Sequence, residues 1–422
     1  MELLENIVWI YLTIPFLFIV SIFFTILLKG PQFRFKKIFN ALKPAKEDTQ
    51  LSPVATLLVA LSARIGLGTL AGTGLAIAVG GPGAIFWMWI SAIITAAATF
   101  AENTVAQKFK QGSAEKYYGG PAFYIKNGLK KHKFAAVYAT MFILTYTLGF
   151  VAVQMNTITA TLAQSIDLSP GIIALFLVII TALTILGSIN KIANLIASII
   201  PFIAIFFLGV AVVAIYINFS YLPTFFTEII SSAFDFNSFA GGGIGIAITT
   251  GIKRGVFSNE AGLGTGSHAA ALTHHTDPRE QGFIGVLGIY LTSIVAITLV
   301  AFIIMSSGAH RFVTPTGNGI EFLHFSLLRM FGGATVVILP LIIFFFGFST
   351  VVTAYLYGVM NIKFLTEKQF AIIGLRAVLL FVVFFAATTN PRFIWRLVDI
   401  GVGITAIINL SALVLLRRHL KN

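Results

Sequence analysis

About eleven apolar stretches, each long enough to cross the hydrocarbon of a bilayer, run along this 422-residue chain and dictate its solvent. They lie at 6–28, 53–80, 84–107, 134–164, 171–188, 192–218, 238–271, 282–307, 332–362, 369–388 and 393–416. A spanning helix needs about 20 predominantly apolar residues. Inside lipid every backbone N–H and C=O must find a partner within the protein, so runs of this length predict helices. Only 10% of the residues are charged, too few to clothe a water-facing domain, and no hydrophilic stretch is long enough to form a separate one. The expectation is an all-α membrane protein, one polytopic domain over 1–422. Ile7 to Leu28 follows Glu2 and Glu5 with no Lys or Arg before it and no small-residue cleavage site, which predicts a retained span and not a signal peptide.

The net charge of +13 would suit a nucleic-acid partner, but its placement argues for a lipid bilayer. With the N-terminus outside, twenty basic residues fall in cytoplasmic loops and the C-terminal tail, and three (Arg311, Arg329, Arg392) fall outside. That asymmetry is the positive-inside pattern for one orientation of the chain. It predicts a multi-pass protein of the inner or plasma membrane with its C-terminus in the cytoplasm and no role for nucleic acid. The chain has no Cys, which excludes disulfides, thiolate metal sites and cysteine nucleophiles. No P-loop, HExxH or nucleophile motif occurs, so neither ATP hydrolysis nor another enzyme activity is expected.

Two spans carry glycine patterns that a plain membrane helix does not need. One is Ser62-Ala63-Arg64-Ile65-Gly66-Leu67-Gly68-Thr69; the other runs from Gly251 to Gly266 and holds Lys253, Arg254, Ser258, Asn259 and Glu260. A charge at the bilayer centre costs at least ~2.5–3.5 kcal/mol, and broken backbone survives there only inside protein or beside a water-filled cavity. Either glycine run alone fits close helix packing equally well. The pair says more: the second lies five spans after the first and runs in the opposite direction. Interrupted helices at matching positions of oppositely oriented halves mark an inverted-repeat transporter with a midplane site.

At these residues the chain resembles the alanine or glycine:cation symporter family of the amino acid–polyamine–organocation superfamily. Residues 63–90, ARIGLGTLAGTGLAIAVGGPGAIFWMWI, resemble its first signature nearly position by position, and 251–268, GIKRGVFSNEAGLGTGSH, its second. Weaker echoes are Gly119-Gly120-Pro121, Gln154-Met155-Asn156, Phe348-Ser349-Thr350, and Trp395, Asp399 and Asn409-Leu410. The resemblance implies a LeuT-type five-plus-five inverted repeat with two broken helices. An extra N-terminal helix and loop (6–52) would precede a first repeat (53–218), a second (238–388), and a final helix and tail (389–422). It also implies uptake of a small neutral amino acid with a monovalent cation, Na⁺ or possible H⁺ in its place, and no cofactor. The backbone of Gly66, Leu67 and Gly68 would meet the substrate carboxylate, with Thr69 beside them. Phe257, Ser258 and Asn259 would face the amino group and side chain, and Gln154 would line the pocket. Backbone carbonyls near Ser62 and Ile65 and the hydroxyls of Ser349 and Thr350 would hold Na⁺, hard oxygen donors for a hard ion.

Three departures from the family pattern bear on substrate and ion: Thr69 replaces an Asn, Ala354 an aromatic, and Thr292 a carboxylate. Ala354 would open the pocket. Glu260 has three readings: proton-coupling group, partner of Arg64 or Arg254, or helix cap. Asp399 is expected to pair with Arg396 or cap a helix, Glu102 to sit incompletely buried near a cytoplasmic end, and His274 and His275 to be solvated turn residues. Trp87 and Trp89 read as interface anchors or packing. A channel would need a continuous polar stripe on several helices, and a membrane-embedded enzyme or receptor would need clustered catalytic groups or a ligand-binding domain. The competing transport reading is proton coupling or exchange of a larger amino acid.

Overall fold

A computed structural model describes residues 2–43, 51–112, 117–166, 168–235, 243–273, 277–313, 319–388 and 391–420. His274 and His275 lie outside the described residues, as does the side chain of Trp395. The described chain is helical, with a single isolated bridge between Gln111 and Tyr118. Eight helices among the described residues are long and apolar enough to cross a membrane. Two shorter ones, Pro53–Arg64 (α3) and Leu67–Gly80 (α4), meet at a 46° bend and together make a ninth span.

The long helices are Leu3–Leu27 (α1), Gly83–Phe109 (α5), His132–Ile166 (α7), Ile189–Ile217 (α9), Arg279–Ser306 (α13) and Gln369–Ala387 (α17). Thr335–Leu365 (α16) and Pro391–Leu415 (α18) complete the set. Pro170–Ile185 (α8) and Gly243–Asn259 (α11) are apolar but shorter. Phe35–Asn40 (α2), Pro121–Leu129 (α6), Leu222–Ala233 (α10), Thr265–Ala270 (α12), Ala309–Phe312 (α14) and Ile320–Phe331 (α15) connect them. Helices α10, α14 and α15 fill what hydropathy left as loops, because short amphipathic segments carry no spanning signal.

Half-helix α11 packs on α4 and α5, while α16 packs on α3 and α7, so the two broken segments lie between the scaffold helices. Three long helices contain π-helical stretches, at Ile7–Thr13, Ile143–Phe150 and Leu291–Ala296. A π turn shifts side-chain register within a helix and is common at functional sites. Here the last two aim Tyr146 and Ser293 at the end of α11: Tyr146 donates to Glu260 Oε1 at 2.7 Å, and Asn259 Nδ2 donates to Ser293 Oγ at 3.1 Å.

The charges at membrane depth find partners that sequence proximity does not reveal. Lys253 forms an ion pair with Glu5 of α1 and lies 3.2 Å from Asp399 of α18; Arg254 lies 3.6 Å from the same Asp399 carboxylate. The Asp399 carbonyl also accepts from Trp9 Nε1 at 2.7 Å. The first helix, α1, and the last, α18, are thereby tied to α11. Glu102 corrects its expectation: its side chain is fully buried, with Oε2 accepting from Gly264 N–H and Asn409 Nδ2, each at 3.2 Å. It braces the second break from α5, where a half-exposed position could not.

Candidate functional site

The first break is short. Helix α3 ends at Arg64, Ile65 leaves helical geometry, and Gly66 is extended before α4 starts at Leu67. Glycine is required at 66 by a close approach and not by its backbone angles. A Cβ there would run into Thr350 Oγ1 and stand 3.5 Å from Gln154 Nε2. A helix N-terminus leaves its first N–H groups without intrahelical partners. Gln154, from α7, answers one of them: its Oε1 accepts from Leu67 N–H at 3.3 Å. That bond fixes the amide orientation, since an N–H can only donate. Gln154 Nε2 is then a buried donor with no protein partner among the described residues, beside Gly66.

Oxygen atoms gather around Thr350 at the same break. The single Thr350 hydroxyl hydrogen is shared between Ser62 O at 2.8 Å and Phe346 O at 2.9 Å, and Ser349 Oγ donates to Phe346 O at 3.0 Å. Ser62 Oγ lies 2.5 Å from Thr353 Oγ1. The expected ion residues Ser62, Ser349 and Thr350 are thus brought together, with Ile65 one residue before Gly66. Sequence reading missed the Phe346 carbonyl; the helical i, i+3, i+4 relation to Ser349 and Thr350 was the available signal. These donors are neutral oxygens, suited to a hard monovalent cation and not to a soft transition metal. Among the described residues no group of three or more His, Asp or Glu is placed to hold a metal ion.

The end of α11 faces the first break directly. Thr69 Oγ1 lies 2.6 Å from Ser258 Oγ and donates to Arg64 O at 2.8 Å. A Cβ at Gly68 would stand 3.3 Å from the Phe257 ring, a tight contact from which the ring would have to give by a few tenths of an ångström. Phe257 is buried and packs on Phe150, ring centroids 5.1 Å apart. Gly66, Leu67, Gly68, Thr69, Gln154, Phe257 and Ser258 therefore share one buried region. Asn259 points elsewhere: its Nδ2 goes to Ser293 and its Oδ1 accepts Ala261 N–H at 3.0 Å. Ala354 is buried one helical turn beyond Thr350, its carbonyl accepting from Thr147 Oγ1 at 3.2 Å. Thr292 donates back to Gly288 O within its own helix.

The second break differs from the first in how its backbone is used. Glu260, Gly262 and Gly264 all have positive φ, at 57°, 77° and 83°, a region that glycine enters without penalty. Asn409 donates to Gly262 O, Tyr138 to Leu263 O, and Ser267 and His268 to Gly264 O. These bonds brace the backbone of the second break, where Thr265 Oγ1, Glu260 Oε2 and Glu102 Oε1 are left without a hydrogen-bond partner among the described residues. Arg64, 1% exposed, lies in a cradle of glycines, with Nη1 donating to Gly285 O at 3.3 Å. A Cβ at Gly266 or Gly288 would strike its guanidinium. Its charge acts on both Glu102 and Glu260. Trp87 and Trp89 serve packing, donating to Ala233 O and Thr298 Oγ1.

A family model described as the sodium:alanine symporter family matches residues 1–422. The chain is 35% identical over 418 residues to the "Probable sodium/glutamine symporter GlnT" of Bacillus subtilis, covering 98% of this chain and 87% of that one. It is 34% identical to the amino-acid carrier protein AlsT of the same organism, over 98% of this chain and 88% of the relative. It is 33% identical to the sodium/alanine symporter AgcS of Methanococcus maripaludis, over 90% and 85%. Similarity this continuous takes in both broken helices and the scaffold around them: this multi-pass membrane protein of amino-acid transport belongs to the sodium:alanine symporter family.

Proposed function

We propose that the protein couples Na⁺ entry to uptake of a small neutral amino acid by alternating access, with ion and substrate held at the first glycine break. The observation that carries this reading is the pairing of a free buried donor, Gln154 Nε2, with a nest of oxygens around Thr350, both beside the position a Gly66 Cβ would take. The zwitterion must shed hydration to reach such a depth, so each charged end needs a fixed partner. The carboxylate takes the N-terminal amides of α4, whose half-helix dipole favours an anion, together with Gln154 Nε2. Because its oxygen is already engaged, Gln154 serves this end and not the amino group. The amino group takes C-terminal carbonyls of α11 near Phe257 and Ser258, at the negative end of that half-helix. Na⁺ takes the oxygens of Ser62, Ile65, Phe346, Ser349 and Thr350.

Eleven spans arranged as a five-plus-five inverted repeat, with the N-terminus outside, fit this reading: α8 and the half-helix pair α11–α12 become spans beside the nine that length and composition identify. The substrate range extends above alanine, since Ala354 stands where the family pattern has an aromatic ring and one relative carries glutamine in its name. The test is alanine uptake into proteoliposomes with an inward Na⁺ gradient. Uptake is expected to collapse when a Na⁺ ionophore dissipates the gradient. In a Ser349→Ala, Thr350→Ala variant the half-saturating Na⁺ concentration is expected to rise. Uptake that follows a pH gradient and ignores Na⁺ would overturn the proposal.

A further inference from the structure

Away from the glycine breaks, a pocket of about 700 Å³ opens at the end of the molecule that carries the basic loops, between the ends of α1, α5 and α13 and the short helix α2. Four cations line it: Lys29, Arg34, Lys37 and Arg279. Two of these are committed. Arg34 Nη2 donates to Leu28 O and Lys29 O at 2.9 and 3.0 Å, clamping the turn in which Lys29 adopts a φ of 56°. Arg279 forks onto Asp277, its backbone N–H and Nε both donating to Oδ1 at 2.9 and 3.0 Å, so this cation and carboxylate cancel. Lys29 and Lys37 are left with ammonium groups that have no hydrogen-bond or ion-pair partner among the described residues. Their positive charge belongs to the pocket.

The rest of the lining is mostly apolar, with Asn40 and the Glu280 carboxylate as its further polar members. Leu27 and Leu28 close one side, and Phe100 and Phe283 meet edge to face at 4.9 Å on another. Next to the pocket Phe33, Phe35 and Phe39 are 57%, 55% and 60% exposed, interleaved with Arg34, Lys36 and Lys37. Exposed aromatics alternating with cations directly after a spanning helix are the pattern of a segment lying in the headgroup layer. A free phosphate would need the lysines but gain nothing from the Phe and Leu surface. A phospholipid needs both.

We propose that this pocket binds the headgroup phosphate of an anionic phospholipid, Lys29 and Lys37 taking the phosphate and Leu27, Phe100 and Phe283 the glycerol and first acyl carbons. Basic pockets between spanning helices on the cytoplasmic side bind such headgroups, and the leaflet assigned here rests on the orientation proposed above. The test uses the purified full chain in neutral detergent, titrated with phosphatidylglycerol, phosphatidylcholine or inorganic phosphate and followed by melting temperature and native mass spectrometry. Phosphatidylglycerol is expected to bind and stabilise, phosphatidylcholine and phosphate to do neither. Lys29→Gln with Lys37→Gln is expected to weaken phosphatidylglycerol binding roughly 10- to 30-fold, from the attraction of two cations to an anionic headgroup. The variant's melting temperature without lipid should match the parent, which separates lost binding from lost folding. Equal response to phosphate or phosphatidylcholine, or a variant that binds phosphatidylglycerol as the parent does, overturns the proposal. Orientation is read separately: the chain has no Cys, so an Arg418→Cys variant labelled by an impermeant maleimide from inside only confirms the leaflet without reference to lipid binding.

Discussion

Adding one methyl group at Gly66 tests the geometry of the ion and substrate site more sharply than removing any side chain. The Gly66 backbone is extended, with φ −114° and ψ −158°, angles that alanine adopts freely, so Gly66→Ala costs nothing in backbone strain. Its new Cβ, however, would overlap Thr350 Oγ1. The hydroxyl must withdraw from the 2.8 Å contact with Ser62 O, and the Gln154 amide, 3.5 Å from the same Cβ, loses room beside it. Leaving one buried polar group unsatisfied costs about 1–3 kcal/mol. At about 1.4 kcal/mol per decade, the half-saturating Na⁺ concentration should rise by roughly 5- to 150-fold. The control is on the same helix: a Cβ at Gly72 meets nothing within 4 Å, so Gly72→Ala should leave Na⁺ dependence unchanged. The assay is initial-rate alanine uptake against external Na⁺ in proteoliposomes, normalised to inserted protein. If Gly66→Ala keeps the parent's Na⁺ dependence, or Gly72→Ala loses it equally, the break does not hold the ion and the argument fails.

Three further outcomes follow from other parts of the molecule. Asp399→Asn should lower the melting temperature in detergent by several degrees, because removing one partner of a buried ion pair costs ~3–5 kcal/mol and Asp399 faces both Arg254 and Lys253, the latter also paired with Glu5; an unchanged transition would show that these charges are neutralised otherwise. Ala354→Trp should narrow transport towards glycine and alanine, and equal transport of larger amino acids would remove Ala354 from the pocket. On the short helix α10, burial would raise the Glu228 carboxyl, but the Tyr221 hydroxyl, Arg311 and His310 outweigh it and hold the group below its ordinary value. Its stabilising effect is complete above the ordinary carboxylate pKa and fades as pH falls through the lowered one; melting curves of Glu228→Gln should therefore lose part of the parent's acid sensitivity below about pH 4.5.

Much of this architecture was legible in the sequence because lipid enforces simple rules. Apolar length located the long helices, and the glycines at 66, 68, 262 and 264 located the two breaks, since close crossing and positive φ leave few other residues possible. Legibility failed where the deciding partner is far away in the chain. Glu102 looked half-exposed because its brace, Asn409, lies 307 residues on. Lys253 and Arg254 looked costly because Glu5 and Asp399 lie in the first and last helices. The Phe346 carbonyl, which accepts from Ser349 and Thr350, carries no residue signature. The orientation of the Gln154 amide depended on one hydrogen bond to Leu67 that only coordinates reveal.

The central claim is that ion and amino acid share the first break, and reciprocal binding tests it most directly. Linkage requires that if Na⁺ raises alanine affinity by some factor, alanine raises Na⁺ affinity by the same factor, and couplings between such sites run to about 5- to 150-fold. Calorimetric titration of purified protein with alanine at zero and saturating Na⁺, and with Na⁺ at zero and saturating alanine, measures both. Equal factors within that range in the parent, falling towards one in Thr350→Ala, are the predicted result. Alanine affinity that is the same with and without Na⁺ would contradict the account.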